Sequence, residues 1–429
     1  MAQHEYAGIT FAGRKAIAEV LKELERQKEA RKDVIINTSK LEFRVMDNQF
    51  TLGIGLPTKL FVPVTHRALV QLSHFMRIRM SDGLYKWLSE GHHSPGTRTS
   101  LKFDAKRNWG TWCNLINDWL RAEKFNMLVR LMAHNDGLVY CRALLSDKYQ
   151  IIPNADFFYA VADAIKDLKP GGKAVEIWHA RLSEDRFYLY AVAPGITGQV
   201  STNRIHDPGD GYRSRWVGHA GDVYNAAMAA GNSETGEGGC SLSQAILRRA
   251  TESYQIYQDV INKTHVGKRN DVDQYLSDQT LKDRNAYFFG KIRDLVKRTF
   301  DPDLFQSMID AMNGAAQDEV ADPDVALDAV ALVYNISEER KKEIRNLFIR
   351  SCDNTRYGLA SAMTEVAGKD TLNPDTGYGL ENNAADLVLN VSMKAVHEHA
   401  AKLRKDKRSA RVAEGSTAPL VSVVDECLV

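Results

Sequence analysis

Hydrophobic and polar positions along the chain change their period several times. From about Gly13 to Lys32 the apolar residues Ile17, Val20, Leu21 and Leu24 form one stripe among Lys, Arg and Glu, which predicts a charged amphipathic helix that packs weakly or awaits a partner. The runs Leu41 to Val45, Phe50 to Ile54 and Leu60 to Val64 are short and rich in β-branched or aromatic residues. Asp47-Asn48 and Gly55-Leu56-Pro57 separate them, so the pattern predicts a small antiparallel sheet. Thr65 is placed to cap a helix to about Met76, and a second helical stretch covers about Asp82 to Ser89.

Phe125 to Met132 and Leu138 to Leu145 flank His134-Asn135-Asp136-Gly137, a hairpin signal in which Asp-Gly supplies positive φ angles. Asn154 then caps a predicted helix to about Leu168, and Lys169-Pro170-Gly171-Gly172 breaks it. Ala174 to Arg181 with Arg186 to Val192 predicts a second hairpin, where Phe187, Leu189 and Ala191 alternate with Tyr188 and Tyr190. Val217 to Ala230 suits strand or helix. Beyond Leu242 apolar residues recur at three and four, through Ile246, Leu247, Tyr254, Tyr257 and Ile261 and onward, which predicts a helical C-terminal lobe. From Lys402 the chain is basic and poor in apolar surface, the composition of a frayed tail. The expected fold is α+β, with an N-terminal mixed sheet region and flanking helices followed by the helical lobe. Its expected divisions are 1–40 (charged helix), 41–250 (α+β domain), 251–401 (helical lobe) and 402–429 (tail).

Composition narrows the class. At 429 residues, with 44% hydrophobic and 26% charged side chains, the chain resembles an ordinary multi-lobed globular protein, and no apolar stretch is long enough to span a membrane. No secretory signal is visible at the start, so the expected compartment is the cytoplasm. The five cysteines, Cys113, Cys141, Cys240, Cys352 and Cys427, are odd in number and widely spaced, which suits reduced and mostly buried thiols. A formal net charge of +1 gives no global attraction to polyanions, so any such binding must come from local clusters.

Two clusters of that kind stand out. Gly91 to Arg107 carries His92, His93, Arg98, Lys102, Lys106 and Arg107 against Asp104 alone, and it leads into Trp109, Trp112 and Trp119. Arg213, Arg215 and Trp216 repeat the combination. Cations track phosphates and exposed rings stack on bases, the chemistry of single-strand binding. Tryptophans three and ten apart are equally suited to the core side of a helix. Other motifs fail on spacing: Lys169 to Ala174 lacks the phosphate-loop hydroxyl and the upstream glycine, and Gly209 to Ser214 has Ser where a dinucleotide fingerprint has its third glycine. His397-Glu398-His399 sets its histidines two apart, where a zinc helix sets them four apart. No metal or cofactor is therefore expected. Gly231 to Gly239 reads as a structural turn held by Asn232 and Glu234, because Glu234 and Glu237 would repel an anion.

One resemblance adds to this. Arg142-Ala143, Ser146, Asp147, Tyr149 and Asn154 resemble the Arg-Ala-x-x-Ser-x-x-Tyr-x-x-x-x-Asn signature of a phage- and plasmid-borne family, the domain-of-unknown-function family 932. Asn232-Ser233-Glu234-Thr235-Gly236 is similar to that family's second segment, and Arg356-Tyr357-Gly358-Leu359 with Ala362-Met363-Thr364-Glu365 to a later one. The first two matches fall within roughly residues 40 to 250. The family's Cys-Thr-Asn-Gly stretch is replaced here by Arg248-Arg249-Ala250-Thr251-Glu252. The resemblance implies a mobile-element protein and supplies no reaction. It also implies that Arg142, Ser146, Asp147, Tyr149 and Asn154 form one hydrogen-bonded unit. The expectation drawn from all this is a DNA-binding accessory of replication or recombination that handles or anneals single strands. A hydrolase or nucleotide-processing enzyme and an assembly factor are the alternatives, and a homo-oligomer is left open.

Overall fold

The computed structural model describes residues 15–46, 49–55, 59–76, 105–134, 137–149, 151–201, 221–263, 278–351, 353–369, 371–398 and 401. The predicted helix at 82–89 lies outside them, as does the basic tail from 402.

Helix α1 (Ile17–Ala30) runs directly into strand β1 (Arg31–Asn37). Contrary to the expectation of weak packing, α1 buries Val20 and Leu24 in the main core. Strands β2 (Leu41–Met46), β3 (Gln49–Gly55) and β4 (Lys59–Pro63) form the expected antiparallel meander, with Phe43 opposite Leu52 and Leu52 opposite Val62. Thr65 caps α2 (His66–Phe75) by accepting from Ala68 N at 3.3 Å. Helix α3 (Ala105–Ala122) lies on β2, where Asn117 bonds both backbone groups of Phe43 at 2.7 and 2.9 Å.

Strands β5 (Asn126–Ala133) and β6 (Val139–Ser146) are the predicted hairpin, and Gly137 takes φ 83 in its turn. They join β1 in a second sheet of order β1-β5-β6. Thr65 links the two sheets by donating its N–H to Cys141 O and its hydroxyl to Arg142 O, at 3.0 and 2.9 Å. Both sheets share one apolar core with α2 and α3, which includes Phe43, Leu72, Ile116, Leu120, Val129 and Leu144.

The middle of the chain adds α4 (Asn154–Ile165) and a five-stranded antiparallel meander: β7 (Glu176–Leu182), β8 (Phe187–Val200), β9 (Asp222–Asn232), β10 (Cys240–Arg248) and β11 (Ser253–Lys263). Two expectations need correction here. The residues Ile246, Leu247, Tyr254, Tyr257 and Ile261, whose spacing predicted a helix, lie on β10 and β11, and the boundary drawn at 250 falls in the turn between them. β10 and the start of β11 are buried on both faces, and polar residues such as Ser243, Gln244, Arg248, Ser253 and Gln255 are buried with the apolar ones, so the alternation that distinguishes a half-exposed strand is lost. Asn154 is the first helical residue of α4 and Pro153 is the cap, because the Asn154 side chain instead accepts from Asn232 Nδ2 at 2.7 Å.

Among the described residues, the helical C-terminal part includes α5 (Asp278–Thr299), α6 (Pro302–Ala315), α7 (Pro323–Val333), α8 (Glu338–Ser351), α9 (Arg356–Ala367) and α10 (Pro374–Leu389), and residues 393–398 are helical as well. Asp301, Asp322 and Asn373 cap α6, α7 and α10, each followed by Pro at the first helical position, where no backbone donor is wasted. With α1, α4 and the Phe187–Leu189–Ala191 face of the sheet they make the largest core. Tyr378 of α10 stacks on Tyr188 on the opposite face, at 4.2 Å between ring centres. The sequence-level expectation of an α+β fold with a helical C-terminal part describes this architecture. Among the described residues no helix is long and apolar enough to cross a membrane.

Candidate functional site

Of the nucleic-acid candidates, Lys102, Arg213, Arg215 and Trp216 lie outside the described residues. Lys106, Arg107, Trp109 and Trp112 fall in the first two turns of α3, and their side chains lie outside the described ones. Trp119, further along that helix, packs against the N-terminal core with its ring edge-on to Phe125 at 5.8 Å. Core packing is thus the role of this one tryptophan. Helix α3 is anchored by a stripe of Cys113, Ile116 and Leu120, which fixes where its first turns stand.

The residues singled out by the family resemblance converge from three separate segments. Arg142 on β6 and the backbone N–H of Asn154 both reach the Glu234 carboxylate, at 3.2 and 2.6 Å. Asn232 donates to Ile152 O and to Asn154 Oδ1 at 2.9 and 2.7 Å, and the Tyr149 hydroxyl donates to Ser233 O at 3.1 Å. Gly236, at φ 81, lies where a Cβ would come within 2.7 Å of Leu145. Ser146 and Asp147 stand apart: Ser146 Oγ accepts from Lys148 N at 3.2 Å in an exposed turn.

Arg130, Arg31 and Asp33 complete this cluster and were missed at the sequence level. Arg130 bonds Glu234 O, pairs with Asp33 at 2.8 Å and lies 3.7 Å from Glu234 Oε2, while Arg31 lies 3.8 Å from Oε1. A signal was available, since Arg130 interrupts the apolar strand Met127-Leu128-Val129-Arg130-Leu131-Met132, and a buried charge needs a partner. Beside the cluster, Arg67 of α2 pairs with Asp185 at 2.8 Å and with Glu237.

Burial alone would raise the Glu234 carboxyl, but the guanidinium groups of Arg130 and Arg142, the Asn154 N–H and Arg31 outweigh it and hold the group below its ordinary value. Glu234 is therefore an anion at neutral pH. The turn that carries it, 233–239, ties the N-terminal sheets to the five-stranded sheet through charge and backbone hydrogen bonds.

A second polar cluster sits at the far end of the large sheet. Arg248 pairs with Asp222 and Glu365 at 2.7 and 3.0 Å, Tyr357 donates to Asp222 at 2.6 Å, and the Tyr224 and Tyr357 hydroxyls are 2.6 Å apart. Tyr357 and Glu365 belong to the third family-like segment. Arg248 begins the stretch in which the chain departs from the family, and it serves here to join β9, β10 and α9. Cys113, Cys141 and Cys240 are buried, and burial pushes the Cys113 thiol up to about 11, so at neutral pH it carries little nucleophilic thiolate. Comparison of the chain with protein-family models, with curated proteins and with solved structures returned no match.

Proposed function

We propose that the chain is a nucleic-acid-binding accessory protein of a mobile element, related to the domain-of-unknown-function family 932, which holds single-stranded DNA during replication or recombination in the cytoplasm and performs no chemistry of its own. One observation carries this reading: the segment rich in cations and rings runs into α3, which is locked onto β2 by Asn117 and rooted in the core by Cys113, Ile116 and Leu120. A helix rooted in the core that carries Lys106 and Arg107 in its first turn is a suitable base for phosphate contacts, and Trp109 and Trp112 lie in the same two turns. The interior arginines Arg181 and Arg248 are paired with the internal acids Glu381 and Asp222.

The test is binding of labelled single- and double-stranded DNA at two salt concentrations. Replacing Lys102, Lys106 and Arg107 together by Ala should weaken binding to every sequence alike and flatten the salt dependence by about 0.7 per lost contact on single strands. Trp109→Ala or Trp112→Ala should cost about 1–3 kcal/mol per stacked base with little change in slope. If the wild-type chain has no salt-sensitive affinity for any DNA or RNA, the reading fails and assembly with protein partners replaces it.

A further inference from the structure

We propose that the donors around Glu234 form an oxyanion socket, that Glu234 is its built-in and displaceable plug, and that a phosphate group is the ligand that competes for it. The socket is assembled from separate elements: Arg31 on β1, Arg130 on β5, Arg142 on β6 and the first backbone N–H of α4. Glu234 does not exhaust these donors. Arg142 is 2% exposed, yet among the described residues its Nε is buried without a hydrogen-bond acceptor. Among the same residues Arg31 Nη1 is likewise buried and makes no hydrogen bond, although it stands 3.8 Å from Glu234 Oε1. A carboxylate offers two oxygens in one plane. A phosphate offers a tetrahedral set and close to two charges near neutral pH, and so meets guanidinium edges that a carboxylate leaves over.

The plug is carried on the β9–β10 turn, where Gly236 and Gly238 take φ 81 and 118. Three neighbours hold that turn to the N-terminal unit through its carbonyls: Tyr149 on Ser233, Arg130 on Glu234 and Gln71 on Thr235. Arg31 remains 21% exposed, which gives an ion a route in from solvent. Asp33, paired with Arg130, and Glu184, whose carbonyl accepts from Arg142, are the opposing acids, so a weakly charged ion does not displace Glu234. The same chemistry serves free phosphate and a terminal phosphomonoester of a polynucleotide, but not its singly charged internal diesters, and the proposal does not rest on the nucleic-acid reading above.

The experiment uses the full chain at pH 7, with inorganic phosphate compared against chloride at equal ionic strength. In Glu234→Ala, phosphate is expected to raise the melting temperature saturably by about 2–4 °C. The response should be smaller in wild type, where the plug competes, and lost in Glu234→Ala combined with Arg142→Ala. In wild type, phosphate should speed amide exchange across 233–238 on the order of two- to threefold as the turn is released. Equal phosphate responses in the single and double variants, or unchanged exchange in wild type, overturn the proposal, and the second measurement decides alone if Glu234→Ala does not fold. A short 5′-phosphorylated oligothymidylate that speeds exchange at the same turn, where its unphosphorylated counterpart does not, identifies a polynucleotide end as the source. If no oligonucleotide binds while phosphate still releases the turn, the nucleic-acid function fails and the socket stands.

Discussion

Glu234 shows how one side chain can hold separate segments together. Its depressed carboxyl contributes stability that is present above the ordinary glutamate range and is lost as pH falls through the folded-state value. Glu234→Gln leaves Arg31, Arg130 and Arg142 short of a counter-charge and is expected to cost about 3–5 kcal/mol at pH 7. That cost should hold constant from pH 5 to 8 and shrink below about pH 4, as wild type loses the same charge by protonation. Denaturant titrations of both proteins across this range check it, and a difference that persists unchanged into acid would refute the assignment. Arg142, Tyr149, Asn154, Asn232 and Glu234 of the cluster were legible through the family resemblance. Arg31 and Asp33 were not, because a charged residue near the start of a strand reads as solvated until its cross-strand neighbour is known.

Among the elements, the hairpins were legible where turn residues punctuated apolar runs, as at Gly137 between β5 and β6. The strands β10 and β11 were not, because two buried faces erase the alternation and the register shifts near Leu242 and Ser243 displace what is left of it. Helix α9 has the opposite character: it is buried along nearly its whole length, and its first turn lies against the preceding loop. A Cβ at Gly358 would stand 2.0 Å from Asp353 O, a backbone atom that cannot swing aside. Gly358→Ala is therefore expected to destabilise by about 1–3 kcal/mol, read as a lower denaturation midpoint. Gly379→Ala, on α10 with nothing within 4 Å of the added carbon, serves as the control and should be neutral or slightly stabilising. A Gly358 variant as stable as that control would contradict the packing described for α9.

Across the whole molecule, two apolar cores meet at a joint made of charge. The smaller contains Cys113 and Cys141, the larger Cys240, so thiol labelling reads the two separately. In rising denaturant, Cys113 and Cys141 should be alkylated before Cys240, since the smaller core buries less apolar surface. Peptide-level mass spectrometry resolves the order, and simultaneous labelling would mean that the joint couples both cores into one cooperative unit. The α+β class and the helical C-terminal part were visible in the sequence. The sharing of one core by α1 and the C-terminal helices was not, because long-range packing leaves no periodic trace.

That shared core also sets a timetable for synthesis. The five strands are complete at Lys263, yet Tyr378 and Glu381, which cover the Tyr188 and Tyr190 face, belong to α10, which ends at Leu389. At translation rates of about 5–20 residues per second the nascent sheet waits roughly 6–25 s for α10. During that interval its apolar face and strand edges are open to neighbouring chains. Yield should therefore depend on temperature and on chaperone supply while the chain is being made, and much less on how stable the finished protein is.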